Sequence, residues 1–151
     1  MTEKVISSES TWLLNAAYAL IADVAKETED SGDVSDETLL ALDGLLGDQL
    51  LNALDLLDCG LVTQMECPAK RVIFKVTEKR YSAPLDFYCS QFHMFCSCDF
   101  YKNEVLKSGS LMCAHVVATL LAPAMKKLTQ LNVTDSDLEK SLYNFYSRIL
   151  S

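Results

Sequence analysis

Residues 96 to 115 read CSCDFYKNEVLKSGSLMCAH. Cys96 and Cys98 form one tight pair, Cys113 and His115 a second, and fourteen residues separate them. Thiolate and imidazole are the donors that Zn2+ prefers, and four of them complete a tetrahedral shell with no position left for water or substrate. The spacing therefore predicts one closed, structural Zn2+ site. Such a site ties the segment carrying Cys96 and Cys98 to the one carrying Cys113 and His115, so metal binding contributes folding free energy.

Side chains two apart on a regular helix point about 200° apart, so Cys113 and His115 cannot both ligate from a helix interior. They belong at or before a first turn, where the helix dipole favours Cys113 as thiolate. Two other readings of the four residues are disulfide pairing and burial as ordinary core residues. A Cys-x-Cys bridge closes a strained small ring, however, and a reducing compartment works against disulfides. Paired ligand spacing is also more specific than a lone Cys-x-x-Cys. His93 and Cys89 do not fit the paired spacing and read as strand residues. Cys59 and Cys67 read as small core residues.

Upstream of the ligands the pattern is β. LVTQMEC from Leu61 and RVIFKVT from Arg71 are rich in strand formers and joined by Pro68, Ala69 and Lys70, which predicts a hairpin. Asp86 to Phe95 reads as a third strand that delivers Cys96 on an ordered edge. Downstream, Val116, Val117, Leu120 and Leu121 predict a helix that Pro123 kinks or splits. A last helix starts at Thr134, a capping hydroxyl, with Asp135 and Asp137 favourable in its first turn.

The first sixty residues are helical in pattern. Leu13, Ala17, Leu20, Ile21 and Val24 recur at helical spacing over 10–28, with Ser8 or Ser10 available as cap. Two further helices follow at 36–46 and 48–58, where Ser35 caps the first and Gly47 separates them. Leu39, Leu42, Leu46, Leu50, Leu54 and Leu57 form a stripe that can bury against the first helix or against another chain. Leu42 to Leu46 reads LxxLL, which in so leucine-rich a stretch is mostly chance. The expected fold is α+β: N-terminal helices over 1–60, a small antiparallel sheet, zinc site and following helix over 61–130, and a C-terminal helix over 131–151.

The formal net charge is −8, but it is uneven. Residues 1–66 hold 2 Lys or Arg against 14 Asp or Glu, and residues 67–151 hold 11 against 7. The acidic part repels nucleic acid. The basic part, with Lys70, Arg71, Lys75, Lys79, Arg80, Lys102 and Lys107, can approach a phosphate backbone or an acidic protein, although a charge run is more often a solvated face. MTEKVISSES lacks the order of a signal peptide and no window reaches the ~18 apolar residues of a membrane span, so an intracellular chain is expected.

Cys-x-Cys, fourteen residues, then Cys-x-His resembles the SWIM zinc-finger signature, in which strands precede the ligands and a helix follows. ALDLLD at 53–58, the RVIFKV strand and LNVTDSDL from Leu131 to Leu138 extend the likeness to the small SWIM-domain subunits of the Shu complex. Ala114 stands where the family often carries Lys or Arg. The resemblance implies a nuclear, non-catalytic recombination factor that pairs with a RecA-like recombinase paralogue and promotes recombinase filament assembly on single-stranded DNA. It also implies Cys96, Cys98, Cys113 and His115 as the zinc ligands.

Excess apolar surface, with the leucine stripe (Leu42, Leu46, Leu50, Leu54) and Phe145 as candidate contacts, favours this partner-binding role. The alternative is a stand-alone DNA-binding zinc module using the basic residues. An enzyme is not expected, because an open zinc position with a nearby base, a His-x-Glu deaminase motif and a phosphate-binding glycine loop are all missing from the sequence.

Overall fold

The computed structural model describes residues 8–59, 61–79, 83–90, 95–105, 107 and 110–150, without the side chains of 8–10, 145, 146 and 148–150. Three helices come first: α1 (Ser8–Ser31), α2 (Asp36–Leu46) and α3 (Asp48–Cys59). The Ser35 hydroxyl accepts the Thr38 N–H at 3.3 Å, and Asp36 and Glu37 lie in the first turn of α2, so that start is fixed by capping and by the helix dipole. Gly47 ends α2 with φ 59°, a left-handed value that costs a residue with a Cβ and lets α3 begin one residue later. α1 runs three residues beyond the expected stop, because its polar end needs no burial to continue as a solvated turn.

The sheet contains β1 (Leu61–Glu66), β2 (Val72–Glu78), β3 (Leu85–Ser90), β4 (Phe95–Cys96) and β5 (Thr129–Asn132), in the order β4-β3-β2-β1-β5. The β1–β2 hairpin closes through Lys70 N–H to Cys67 O at 2.9 Å, with Pro68 leading the turn and Lys70 at φ 64°. Two expectations change here. The stretch 86–95 is not one strand: the chain leaves β3 at Ser90 and returns as β4, pairing Cys89 with Cys96 and Ser90 with Phe95. The sheet is also mixed, since β5 pairs with β1 in parallel.

Alternation along the strands sorts side chains to two faces. Val62, Phe74, Val76 and Cys89 join the main core with α1, α2, α3 and the helix α4 (Ala114–Ala124). Met65, Cys67 and Ile73 on the other face pack with Leu138 of α5 (Asp135–Leu150). α5 starts as expected, with the Thr134 hydroxyl accepting the Asp137 N–H at 3.1 Å. α4, whose sequence is AHVVATLLAPA, is buried on nearly every side because it touches α1 and α3 as well as β1, β2 and β3. Pro123 does not split it: the helix is continuous through the proline. The proline lacks the N–H that would bond the carbonyl of Thr119, four residues before it, so one backbone bond is forgone there, and the helix stops one residue later at Ala124.

The leucine stripe is interior. Leu42, Leu46 and Leu50 are buried in the core between α1, α3 and α4, and Leu54 and Leu57 pack half-buried against it. Leu42, Leu46 and Leu50 therefore serve this chain's own core, which corrects their assignment as partner contacts, whereas Leu54 keeps part of its side chain at the surface. Phe145 lies on α5, but its side chain is outside those described. Cys59 corrects a further expectation: it is exposed, and its Sγ lies 3.6 Å from Asp55 Oδ1. Cys67 is buried, as expected. No helix among the described residues is long and apolar enough to cross a membrane.

Candidate metal centre

Three pieces of chain converge on the ligands. β4 ends at Cys96; Cys98 follows after Ser97, whose N–H donates to Tyr88 O at 3.1 Å and whose hydroxyl accepts the Tyr88 N–H at 3.1 Å. The sheet edge thus fixes the first pair. A single π-type turn, Tyr101–Val105, follows and buries Tyr101. Cys113 is the N-cap of α4 with an extended backbone, and its Sγ accepts the Val116 N–H at 3.5 Å, so the second pair sits at the helix start that the spacing predicts.

Cys96, Cys98, Cys113 and His115 are all buried, and their donor atoms lie within 4.8 Å of one another. No second such group occurs among the described residues. The Tyr101 N–H donates to Cys98 Sγ at 3.3 Å, adding backbone support to a thiolate. Hydrogen bonds from Cys113 and Cys96 hold Cys98 far below the usual thiol range, while contacts with Cys96, and then with Cys98, push Cys113 far above it. Burial pushes Cys96 up as well. Three buried thiols this close cannot all ionise alone; a bound cation lets the other two follow.

His115 supplies a further test of fit. Its Nε2 lies 2.5 Å from Glu78 Oε1, its ring stacks on Phe87 at 4.2 Å and 25°, and its Nδ1 is buried with no hydrogen-bond partner. An orphaned buried nitrogen beside three thiols is what a metal ion would satisfy. Burial works to lower the His115 pKa, but Cys98 and Glu78 outweigh it and carry the pKa upward. The donor set therefore fits a thiophilic divalent cation held by four protein atoms.

Known proteins add the decisive comparison. The chain is 33% identical over 131 residues to the Mus musculus protein named zinc finger SWIM domain-containing protein 7, covering 86% of this chain and 84% of that one. The chain belongs to the SWIM zinc-finger family. The Homo sapiens protein of the same name is 32% identical over 120 residues, 79% of this chain and 84% of its own. The Danio rerio protein is 32% identical over 127 residues, 83% and 89%. No family model and no solved structure matches the chain.

Around the SWIM ligands the structure adds residues that the spacing did not show. Glu78, at the last position of β2, carried no local signal; only the period-two count from Phe74 and Val76 would have turned it toward α4. Cys89 is wholly buried, with its Sγ 3.4 Å from Cys96 Sγ, a cross-strand neighbour of the ligands rather than a mere strand residue. His93 lies outside the described residues.

Among the described residues, the basic side chains of β2 are spread along the strand. Lys70 and Arg71 are exposed at one end of β2, and Lys79 is exposed beyond its other end. Eight steps of extended chain separate Arg71 from Lys79, about 26 Å. Lys75 lies between them, half-buried on the face that packs α5; Lys102 is half-buried in the π-type turn and Lys107 is exposed after it. Arg80 lies outside the described residues.

Proposed function

We propose that this chain is a non-catalytic SWIM zinc-finger subunit of a Shu-type complex. In this reading it holds one structural Zn2+ through Cys96, Cys98, Cys113 and His115, pairs in the nucleus with a RecA-like recombinase paralogue, and promotes recombinase filament assembly on single-stranded DNA. The carrying observation is the closed, buried set of three thiols and one imidazole at the joint between β4 and α4, in a chain of SWIM-family sequence. Four protein donors leave a bound ion no position for a substrate, which supports structure rather than catalysis.

Partner binding is favoured over direct DNA binding by the distribution of charge. The helical layer is acidic, and among the described residues the exposed basic side chains of β2 sit beyond its opposite ends, Lys70 and Arg71 at one and Lys79 at the other, with only the half-buried Lys75 between them, which disfavours an extended phosphate track along this strand. Exposed apolar side chains remain on the helices: Trp12 is 69% exposed, Leu40 70% and Leu51 60%.

The test is co-expression with a RecA-like paralogue from the same organism, followed by size-exclusion chromatography and single-strand binding. A zinc-bearing complex is expected, with DNA affinity nearly unchanged when Lys70, Arg71, Lys75, Lys79 and Arg80 become Glu. Loss of DNA binding with the complex intact, and a salt slope reduced by about 0.7 per lost contact, would support the stand-alone DNA-binding module instead.

A further inference from the structure

We infer that Glu78 is a positioning residue for the metal: by accepting the Nε2–H of His115 it fixes the imidazole tautomer and assigns ligation to Nδ1. The inference rests on the zinc reading above and goes beyond naming the ligands, since it states which nitrogen binds and what selects it.

Five observations converge. Glu78 is 6% exposed, and a buried carboxylate is costly unless a donor meets it. Its place at the end of β2 turns it to the face that carries Val76 and Phe74, the face on which α4 lies. There its Oε1 meets His115 Nε2 at 2.5 Å. A neutral imidazole donates from one nitrogen and presents a lone pair on the other. With Nε2 committed to the carboxylate, the lone pair is on Nδ1, the atom that is buried without a hydrogen-bond partner. Phe87, stacked on the ring from β3, restricts rotation that would exchange the two nitrogens.

The consequence reaches the ion. A carboxylate on the far nitrogen raises the basicity of the ligating one and holds the ring in plane, and removal of such partners typically weakens metal affinity by about 10- to 100-fold. Glu78 therefore links β2 to a centre whose ligands come from β4, the segment after it and α4. Glu78→Gln keeps an acceptor oxygen; Glu78→Ala removes it.

The experiment uses the full chain loaded with zinc. Long-range 15N–1H correlation of the imidazoles, simple because the chain has only two histidines, reports which His115 nitrogen carries the proton; His115→Gln assigns the signals. Chelator competition measures zinc affinity for the wild type, Glu78→Gln and Glu78→Ala. Expected are a protonated Nε2 with metal-bound Nδ1, affinity in Glu78→Ala about 10- to 100-fold weaker, and Glu78→Gln between the two, since it keeps the acceptor but not the charge. Zinc on Nε2 in the wild type, or undiminished affinity in Glu78→Ala, overturns the inference while leaving the zinc site standing. Should Glu78→Ala fail to fold, the wild-type spectrum still decides. A wild-type chain that binds no zinc would instead overturn the zinc reading itself.

Discussion

Gln49 Oε1 accepts the Ala114 N–H at 3.1 Å, so a side chain at the start of α3 caps the helix that carries Cys113 and His115. The two residues are 65 positions apart in sequence. The helical layer and the metal centre are thus joined by a polar contact as well as by apolar packing. Gln49→Ala is expected to lower the stability of the zinc-loaded chain by about 1 kcal/mol, the usual cost of an uncapped helix donor. Urea unfolding measures it, and an unchanged midpoint would show that this cap carries no weight.

Cys89 and Cys96 separate packing from ligation. Their sulfurs are 3.4 Å apart, yet only Cys96 belongs to the group of four donors. Cys89→Ala is expected to keep one equivalent of zinc and to cost about 1 kcal/mol, as for a small deletion in a core. Cys96→Ala is expected to lose stoichiometric zinc. Metal analysis after exhaustive dialysis distinguishes them, and zinc loss from Cys89→Ala alone would make Cys89 a ligand.

Glu27 gives the fold a dependence on pH. Its Oε1 accepts from the Ser35 hydroxyl at 2.6 Å and the Thr38 hydroxyl at 3.1 Å, and these bonds hold its pKa below the ordinary carboxylate value. A depressed folded pKa stabilises above the unfolded value, near ~4.3, and that contribution is lost as pH falls through the folded value. The stability gap between wild type and Glu27→Gln is therefore expected at neutral pH and should close in acid below that range. A gap that persists or widens in acid would contradict the assignment.

Leu50 and Leu51 are neighbours with opposite roles. Leu50 is 2% exposed and Leu51 60%. Leu50→Asp buries a charge in a cavity and is expected to cost at least about 3 kcal/mol. Leu51→Asp is expected to change stability by no more than about 0.5 kcal/mol. Thermal unfolding checks both, and association with the proposed paralogue then reports on the exposed face alone, because Leu51→Asp leaves the fold standing.

The ligand spacing alone placed Cys113 and His115 at a helix start, because i and i+2 cannot share a helix face, and that is where they are. Ser35, Gly47 and Thr134 announced their boundaries for the same local reason: each acts through its own backbone. β5 was not legible. All four of its residues are exposed, TQLN has no alternation, and its strand character comes from pairing with β1 more than sixty residues earlier. The fate of the leucine stripe was hidden too, since periodicity shows that a face is buried but not which element covers it; α4 and α1 do. Glu78 was invisible for the complementary reason, that a charged residue ending a strand is ordinary until the partner from α4 is in place.

Zinc coordination tests the central claim most directly. The purified chain, examined by X-ray absorption at the zinc edge, is predicted to contain one zinc per chain with three sulfurs at about 2.3 Å and one imidazole nitrogen at about 2.0 Å, and no water oxygen. A folded chain without metal, or a zinc ion with an open or water-filled position, would contradict a closed structural centre.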